Sequence, residues 1–307
     1  MNRPLNRPLS RQVNIGLLLA ALCLCLAGWA HGAQQNGKQG AQPAAPAVPA
    51  EPDRTGLVKV ADGRMLAPDI ARIVNHGELV VAMLATDNPP FFANKNGDLV
   101  GTDIDLAKLI SRELGVSLRF DRSYKTFDSV VEAVALGKAD VAVSRLGRTL
   151  KRAQMVHFSI SYIKLGHALL INRIRFAELA GDRPLPQVVR DYNGTMGVLA
   201  GSSWVEFGRR NFPKAKLVTY PTWPELVEAA KKGEVTVVYR DEMEVVQLLR
   251  EDPGLALTLR TVTFSDLEAP LSVIVGIRDL TLLSFINELI AQRAVQPTAD
   301  SVLRVIK

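Results

Sequence analysis

Short apolar runs and longer amphipathic segments alternate along residues 79–250. Continuous apolar runs are typical of buried strands, and apolar residues at helical spacing are typical of helices. The first part predicts, in chain order, a strand at 79–84, a helix at 103–114, a strand at 118–120, a helix at 127–136 and a strand at 140–144. The same order repeats with strands at 196–201, 216–220 and 235–240 and helices at 202–212, 224–232 and 241–250. The pattern therefore predicts an α/β fold of two units, each a mostly parallel sheet flanked by helices.

Two apolar segments connect the predicted units. Residues 162–172 lead from the first unit to the second. Residues 271–277 form another predicted strand, which precedes two last helices at 280–293 and 299–307. Two linked units with two extended crossings predict a bilobal clamp, and ligands of such sheets bind where the strands end at their carboxyl termini.

The N-terminal segment has the pattern of a signal peptide. Residues 1–12 carry three arginines and no acid, and residues 15–30 form an almost unbroken apolar run followed by small residues. We expect cleavage near residue 32 and export to the periplasm. A membrane anchor is the alternative, but the run is shorter than the ~20 residues that a spanning helix needs. Cleavage would remove Cys23 and Cys25, so the mature chain would have no thiol for a disulfide or a metal.

Composition separates a linker from the folded part. Residues 33–55 are mostly Ala, Gln, Pro and Gly, which predicts a flexible linker. The chain has 37 basic and 31 acidic residues, and removing the three arginines of the signal peptide leaves 34 − 31, or +3. Because the rest contains no long basic stripe interleaved with aromatic residues, nucleic acid is a poor candidate partner. Histidines at metal-binding spacing and phosphate-loop motifs are absent too, so we expect no metal and no cofactor.

Residues 144–152 read SRLGRTLKR and follow a predicted strand. The segment carries the four cations Arg145, Arg148, Lys151 and Arg152. These charges either form an anion site or lie on the solvated face of a helix, and their place at a strand end favours the anion site. Gly147 would let a ligand approach the backbone, and the guanidinium of Arg152 has the geometry to hold a carboxylate through two hydrogen bonds. Arg148 and Lys151 are expected on the surface.

Candidate partners for this segment occur in the second unit. Ser202 and Ser203 open a predicted helix, where they either bind the same carboxylate or only cap the helix. Asp241 follows a strand and either accepts hydrogen bonds from an ammonium group or caps the next helix. Phe127, and less surely Phe91, form an apolar wall or belong to the core. A carboxylate grip opposite an ammonium acceptor describes a binder of α-amino acids.

Four segments occur in the order found in one protein family. They are NPPFFANKNGDLVGTDIDLA at 88–107, RTLKRAQMVHFSISY at 148–162, GVLAGSS at 197–203 and KKGEVTVVYRDEM at 231–243. With them the chain resembles periplasmic solute-binding proteins of the polar amino-acid type, family 3, which are the soluble receptors of ABC importers. The likeness extends over residues 66–307.

The resemblance implies a two-lobed periplasmic binding protein fold of type II. Lobe I would comprise residues 66–166 and 273–307, and lobe II residues 167–272. A monomer would close through two hinge crossings on a small polar ligand, an amino acid or a dicarboxylate, and would deliver it to a membrane permease without any catalytic step.

The resemblance also implies roles for single residues. Arg152 corresponds to the arginine that binds the ligand carboxylate, with Gly147 and Ser203 contacting the same group and Ser202 beside them. Asp241 corresponds to the acid that binds the ammonium group. Phe127 corresponds to an aromatic wall.

The chain departs from the family pattern at two positions of the expected pocket. Asn88 stands where the family often has a stacking tyrosine, and Arg145 where a small hydroxyl residue is common. Further departures are Leu150, Lys151 and His157. Arg145 would pair with a second carboxylate of an acidic ligand, point to solvent or pair with an acid across the cleft.

Two other functions remain open from the sequence. One is an enzyme on the same fold that resembles the dehydratases of prephenate or arogenate, with His157, His167, Glu242 and Glu244 as candidate acids or bases. The other is an accessory or sensor protein that uses the clamp to contact another protein.

Overall fold

The computed structural model describes residues 55–293 and Val302. The predicted signal peptide, the linker up to residue 54 and the predicted helix at 299–307, apart from Val302, lie outside the described residues. Within the described part, no helix is long and apolar enough to cross a membrane. The same part contains no group of three or more side chains that could hold a metal ion.

Fourteen strands and nine helices form the described part of the chain. The first are β1 (Val58–Lys59), β2 (Met65–Leu66), α1 (Pro68–His76), β3 (Glu78–Leu84), β4 (Ala93–Lys95), β5 (Asp98–Val100), α2 (Thr102–Leu114), β6 (Ser117–Tyr124), α3 (Phe127–Ala135), β7 (Val141–Ala142) and β8 (Val156–Phe158). The others are β9 (Ile163–Asn172), α4 (Arg173–Ala180), α5 (Leu185–Arg190), β10 (Thr195–Leu199), α6 (Ser203–Asn211), β11 (Lys216–Tyr220), α7 (Trp223–Lys232), β12 (Val237–Asp241), α8 (Glu242–Glu251), β13 (Leu259–Leu271), β14 (Ile274–Gly276) and α9 (Leu280–Ala291).

These elements build two five-stranded sheets. The first sheet has the strand order β6-β3-β7-β14-β8, and the second has the order β11-β10-β12-β9-β13. In the first sheet only β14 runs against its neighbours, and in the second only β9 does so. The prediction of mostly parallel sheets with flanking helices is therefore confirmed.

Burial explains why the central strands were readable from the sequence. Helices cover both faces of each sheet, so a central strand is apolar along its whole length. Six of the seven residues of β3 are buried, and so are all five residues of β12. The helix α2 ends where predicted, at Gly115, whose φ of 74° is left-handed.

The segments that join the two sheets lie side by side. β9 and β13 pair in antiparallel register from Ile163 and Leu271 to Asn172 and Leu259, with an irregularity between Thr263 and Glu268. The sequence analysis missed most of β13. Only three of its thirteen residues are buried and it includes charged and proline positions, so no continuous apolar run marks the strand. The predicted strand at 271–277 is confirmed in part, because β14 lies within it and Leu271 ends β13.

The hydrophobic core divides between the two sheets. Around the first sheet, buried residues of β3, α2 and α3 pack together, among them Val81, Ile104 and Val130. In the second sheet, aromatic residues of α6 and β12 pack on one face and aliphatic residues of α7 and α8 on the other. The two cores hold the strand ends of both sheets in place, and these ends carry the site described below.

Gly101 holds the start of α2 against the preceding loop. Its φ is 128°, and a Cβ at this position would lie 2.3 Å from the carbonyl oxygen of Phe91. We expect Gly101→Ala to lower the free energy of unfolding by about 3 kcal/mol, because the residue then suffers both backbone strain and overlap with a backbone atom.

Gly97→Ala is the matched control for this prediction. Gly97 also has a positive φ, 95°, but no atom lies within 4 Å of the position that a Cβ would take there. We expect Gly97→Ala to lower the free energy of unfolding by about 1 kcal/mol, because only the backbone conformation is strained. Urea unfolding of both variants measures the difference, and equal losses would show that the contact with Phe91 is unimportant.

Candidate ligand-binding cleft

The predicted site residues converge where the strands of the two sheets end. One small cavity of ≈ 20 Å³ lies between these strand ends. Seven of the eight predicted residues line it: Phe127, Arg145, Gly147, Arg152, Ser202, Ser203 and Asp241. The eighth, Asn88, lines an adjoining cavity of ≈ 430 Å³. The structure thus brings all eight into one region, and their roles toward a ligand stay predictions.

Arg145 fills the space between the sheets with its own side chain. Only 5% of the side chain is exposed. Its guanidinium donates hydrogen bonds to Asp241 Oδ1 at 2.5 Å and to Glu244 Oε2 at 2.6 Å, both on the second sheet's side. It also donates to Asn88 Oδ1 and lies over the ring of Phe91, 4.8 Å from the ring centre. Of the three orientations considered from the sequence, the structure has the ion pair across the cleft.

The backbone of Arg145 is left-handed, with a φ of 51°. This conformation is strained for an arginine. The N–H of Arg145 donates a 2.6 Å hydrogen bond to Oδ2 of Asp103, which is fully buried at the start of α2. This turn also explains why β7 is shorter than the predicted strand at 140–144, since the chain leaves the sheet before residue 145.

Arg152 contacts the first sheet's side of the cavity. Its Nε and Nη2 donate to Asp128 Oδ1 at 3.1 and 2.8 Å, and its Nη1 donates to the carbonyl oxygen of Gly147 at 2.9 Å. Burial lowers the pKa of the Arg152 guanidinium, and the charge of Asp128 offsets only part of that effect. The side chain therefore remains a buried cation that an additional anion would stabilise.

The two serines of the second sheet's side differ in their bonding. Ser202 Oγ accepts the N–H of Trp204 and donates to the carbonyl oxygen of Leu199, so it caps α6. Ser203 Oγ has no hydrogen-bond partner within residues 55–293. A Cβ on Gly147 would lie 2.7 Å from Ser203 Oγ, so the absence of a side chain at 147 is what admits Ser203. Ser203 is thus the serine with a hydroxyl left for a ligand.

Asp241 caps a helix, which is one of the two functions that the sequence left open. Its Oδ1 accepts the N–H of Glu244 at 3.0 Å and caps α8, and the same atom accepts from Arg145. Arg240 adds a second cation, with 3.5 Å from its Nε to Asp241 Oδ2 and 3.2 Å from its Nη2 to Glu244 Oε2. Burial raises the pKa of Glu244, but Arg240 and Arg145 lower it more, to about 2. Glu244 is therefore held as a carboxylate beside Asp241.

The sequence analysis missed Arg240, Asp128 and Asp103, and it considered Glu244 only as a catalytic candidate. Glu244 follows Asp241 by three residues, and this spacing at a helix start places two carboxylates in one turn. Asp128 follows Phe127 in the first turn of α3. These positions are visible in the sequence, but their partners come from distant segments.

Residues 79–176 match the family model of bacterial extracellular solute-binding proteins, family 3. Over this segment the chain is similar to that family. It is 25% identical over 179 residues to the ABC transporter arginine-binding protein 1 of Escherichia coli, a match that covers 57% of this chain and 68% of that protein. It is 24% identical over 185 residues to cyclohexadienyl dehydratase of Pseudomonas aeruginosa, covering 60% and 66%.

Solved structures of amino acid-binding proteins agree with the fold. An ancestral amino acid-binding protein, described as a precursor of cyclohexadienyl dehydratase, superimposes with a TM-score of 0.58 at 25% identity and covers 73% of this chain and 92% of its own. An amino acid ABC transporter substrate-binding protein from Streptococcus pneumoniae, bound to L-arginine, gives 0.56 at 25% identity and covers 72% and 90%. The expected two-lobed fold of type II is thereby confirmed.

Three of the four candidate acids and bases line neither of the two cavities. His157 contacts the carbonyl oxygen of Ile277, and His167 packs edge-on against Trp204. Burial lowers the pKa of His167 to about 4. Glu242 packs against Gly166, and Glu244 lines the adjoining cavity as an ion-paired carboxylate. Near neutral pH His167 is therefore neutral and Glu244 is a carboxylate, so neither is a ready proton donor.

The remaining cations of the basic segment are exposed, as expected. Arg148 lies over the ring of Phe158, 5.6 Å from its centre. Lys151 lies 3.5 Å from Asp128 with 71% of its side chain exposed. The basic segment thus divides into two buried arginines that face the cavity and two surface cations.

Asp103 predicts a measurable pH dependence of stability. Burial raises its pKa to about 7, although the nearby N–H and charge of Arg145 lower it. Between about pH 4 and 7 the carboxyl of Asp103 is therefore protonated in the folded state and ionised in the unfolded state. Its contribution to the free energy of unfolding is full at low pH and is lost as the pH rises through about 7. Relative to Asp103→Asn, we expect the wild type to lose up to about 1.4 kcal/mol of unfolding free energy per pH unit between about pH 4 and 7.

Denaturant unfolding of both proteins at several pH values measures this difference. Asparagine is the matched substitution, because its side-chain oxygen can still accept the N–H of Arg145 and it carries no charge at any pH. Titrations elsewhere in the protein cancel in the comparison. A difference that stays constant from pH 4 to 8 would contradict the raised pKa of Asp103.

Proposed function

We propose that this protein is the substrate-binding subunit of an ABC importer and captures an amino acid or a related small carboxylate between its two sheets. One observation carries the proposal: the anion-binding groups of Arg152, Gly147 and Ser203, supplied by both sheets, meet at one cavity. The relatives named as amino acid-binding proteins support it. The N-terminal pattern, together with relatives named as periplasmic, supports a periplasmic location.

The donors at this cavity suit a carboxylate. A guanidinium has five N–H groups, and Arg152 uses three of them within the described residues, so one N–H on each terminal nitrogen is left. Ser203 adds an unused hydroxyl at the first turn of α6, where the helix dipole favours negative charge. A bidentate contact from Arg152 with support from Ser203 would hold one carboxylate group.

Ligand entry requires the cleft to open. The cavity of ≈ 20 Å³ has room for about one water, which is too little for an amino acid. The neighbouring cavity of ≈ 430 Å³, lined by Leu199, Trp223 and Asn88, would receive the rest of the ligand. We infer a hinge motion at the paired crossings of β9 and β13, between a lobe of residues 66–166 plus 273–307 and a lobe of residues 167–272.

We infer capture without turnover. Catalysis needs a positioned acid or base, and three of the four candidates line neither cavity, while Glu244 lines the adjoining one as an ion-paired carboxylate. The relative named cyclohexadienyl dehydratase makes the enzyme the alternative. Turnover of prephenate or arogenate by the purified protein would contradict capture. Folded protein that binds no small molecule but co-purifies with a stable partner would favour an accessory role over delivery to a permease.

A thermal-shift screen against amino acids and small carboxylates, followed by calorimetry, tests the proposal. A ligand that binds only the native state raises the melting temperature. We expect Arg152→Gln to weaken the best hit by about tenfold or more, because a charge-assisted contact is lost.

Arg148→Gln is the matched control, because it removes an exposed guanidinium four residues away in the same segment. It should leave the affinity unchanged. Equal losses in the two variants would mean that the binding depends on general charge. Retained affinity in Arg152→Gln would contradict the carboxylate site.

A further inference from the structure

Asp241, the acid expected to bind a ligand's ammonium group, is already paired with a cation of the protein. Arg145 donates from one terminal nitrogen to Asp241 and from the other to Glu244. Both carboxylates also lie near Arg240. An incoming ammonium group would therefore meet two acids that are paired with two arginines.

Several contacts fix Arg145 in this position. Its side chain is almost completely buried, bonds to Asn88 and lies over Phe91. Its backbone is held in the left-handed region by Asp103. Displacing the guanidinium would leave a buried cation without its partners, which costs several kcal/mol.

Hydrogen-bond donors without partners lie in and beside the cavity. Arg152 keeps two N–H groups and Ser203 keeps its hydroxyl. Arg240 Nε is buried and makes no hydrogen bond to a described residue. Three arginines, Arg145, Arg152 and Arg240, are already paired with three carboxylates, Asp128, Asp241 and Glu244. The unused donors suit the oxygens of a ligand carboxylate, whereas an ammonium group would compete with Arg145 and Arg240 for Asp241 and Glu244.

We propose that Arg145 is a built-in counter-ion that occupies the ammonium subsite, so that the cleft selects carboxylates without an α-ammonium group and rejects α-amino acids. This inference rests on the proposed function and narrows its ligand class. Arg145 thereby determines specificity through charge, while Arg152 and Ser203 bind the carboxylate.

Pairs of probes that differ only in the α-ammonium group test the inference. Suitable pairs are L-phenylalanine with hydrocinnamate, L-glutamate with glutarate, and L-arginine with δ-guanidinovalerate. Calorimetry gives the ratio of the two dissociation constants for each pair. In the wild type we expect the deaminated member of the best-binding pair to bind about tenfold or more tightly than the amino acid.

Arg145→Asn removes the cation and suits the left-handed backbone, since asparagine adopts that conformation readily. Asp241 and Glu244 would then share only Arg240, so the preference should reverse in favour of the amino acid. Arg145→Lys keeps a cation and should keep the direction of the wild-type preference. Arg148→Asn, outside the cavity, should match the wild type.

The outcomes separate the two levels of the proposal. A wild type that binds amino acids as tightly as their deaminated partners, or an unchanged ratio in Arg145→Asn, overturns the role of Arg145 and leaves the proposed function intact. Amino acid binding that appears only in Arg145→Asn supports the role of Arg145. If the wild type and the three variants bind none of the probes, although each shows a cooperative unfolding transition, the proposed function and the inference are both overturned. If Arg145→Asn does not fold, the wild-type ratio decides.

Discussion

The bridge from Arg145 to Asp241 and Glu244 is the interaction on which the geometry of the cleft depends. It joins residues 96 and 99 positions apart in the chain, one from the end of β7 and two from the start of α8. Burial strengthens the attraction between these charges and also makes each of them costly without its partners. The bridge therefore holds the strand ends of the two sheets together and fills the space that a ligand would otherwise occupy.

Contacts around Arg145 offset the cost of its strained backbone conformation. A left-handed arginine is unfavourable, and the hydrogen bond to Asp103 together with the stacking on Phe91 offsets that cost. Gly101 and α2 place Asp103 under the turn. The left-handed turn at Arg145 thus depends on the position of α2 in the first sheet's half of the protein. The charge of Arg145 then links this turn to Asp241 beside the second sheet.

The sequence predicted the sheets and the convergence of Arg152, Gly147 and Ser203 better than the ion-pair network. Central strands and helix ends carry continuous apolar runs and glycines, and Arg152, Gly147 and Ser203 follow strands whose ends were recognisable. The strand β13 was missed because its exposed face is polar. The partner of Arg145 could not be chosen from the sequence, because solvent, ligand and a cross-cleft acid all suit an arginine and only tertiary packing selects among them.

A double-mutant cycle between Arg145→Asn and Asp241→Asn tests the bridge most directly. Asparagine at 241 still caps α8, so the substitution removes the charge and keeps the cap. The free energies of unfolding of the wild type, both single variants and the double variant give the coupling energy between the two residues. The account predicts a favourable coupling of about 1.5 kcal/mol or more. Effects that add to within about 0.5 kcal/mol would show that Arg145 and Asp241 are not partners in solution.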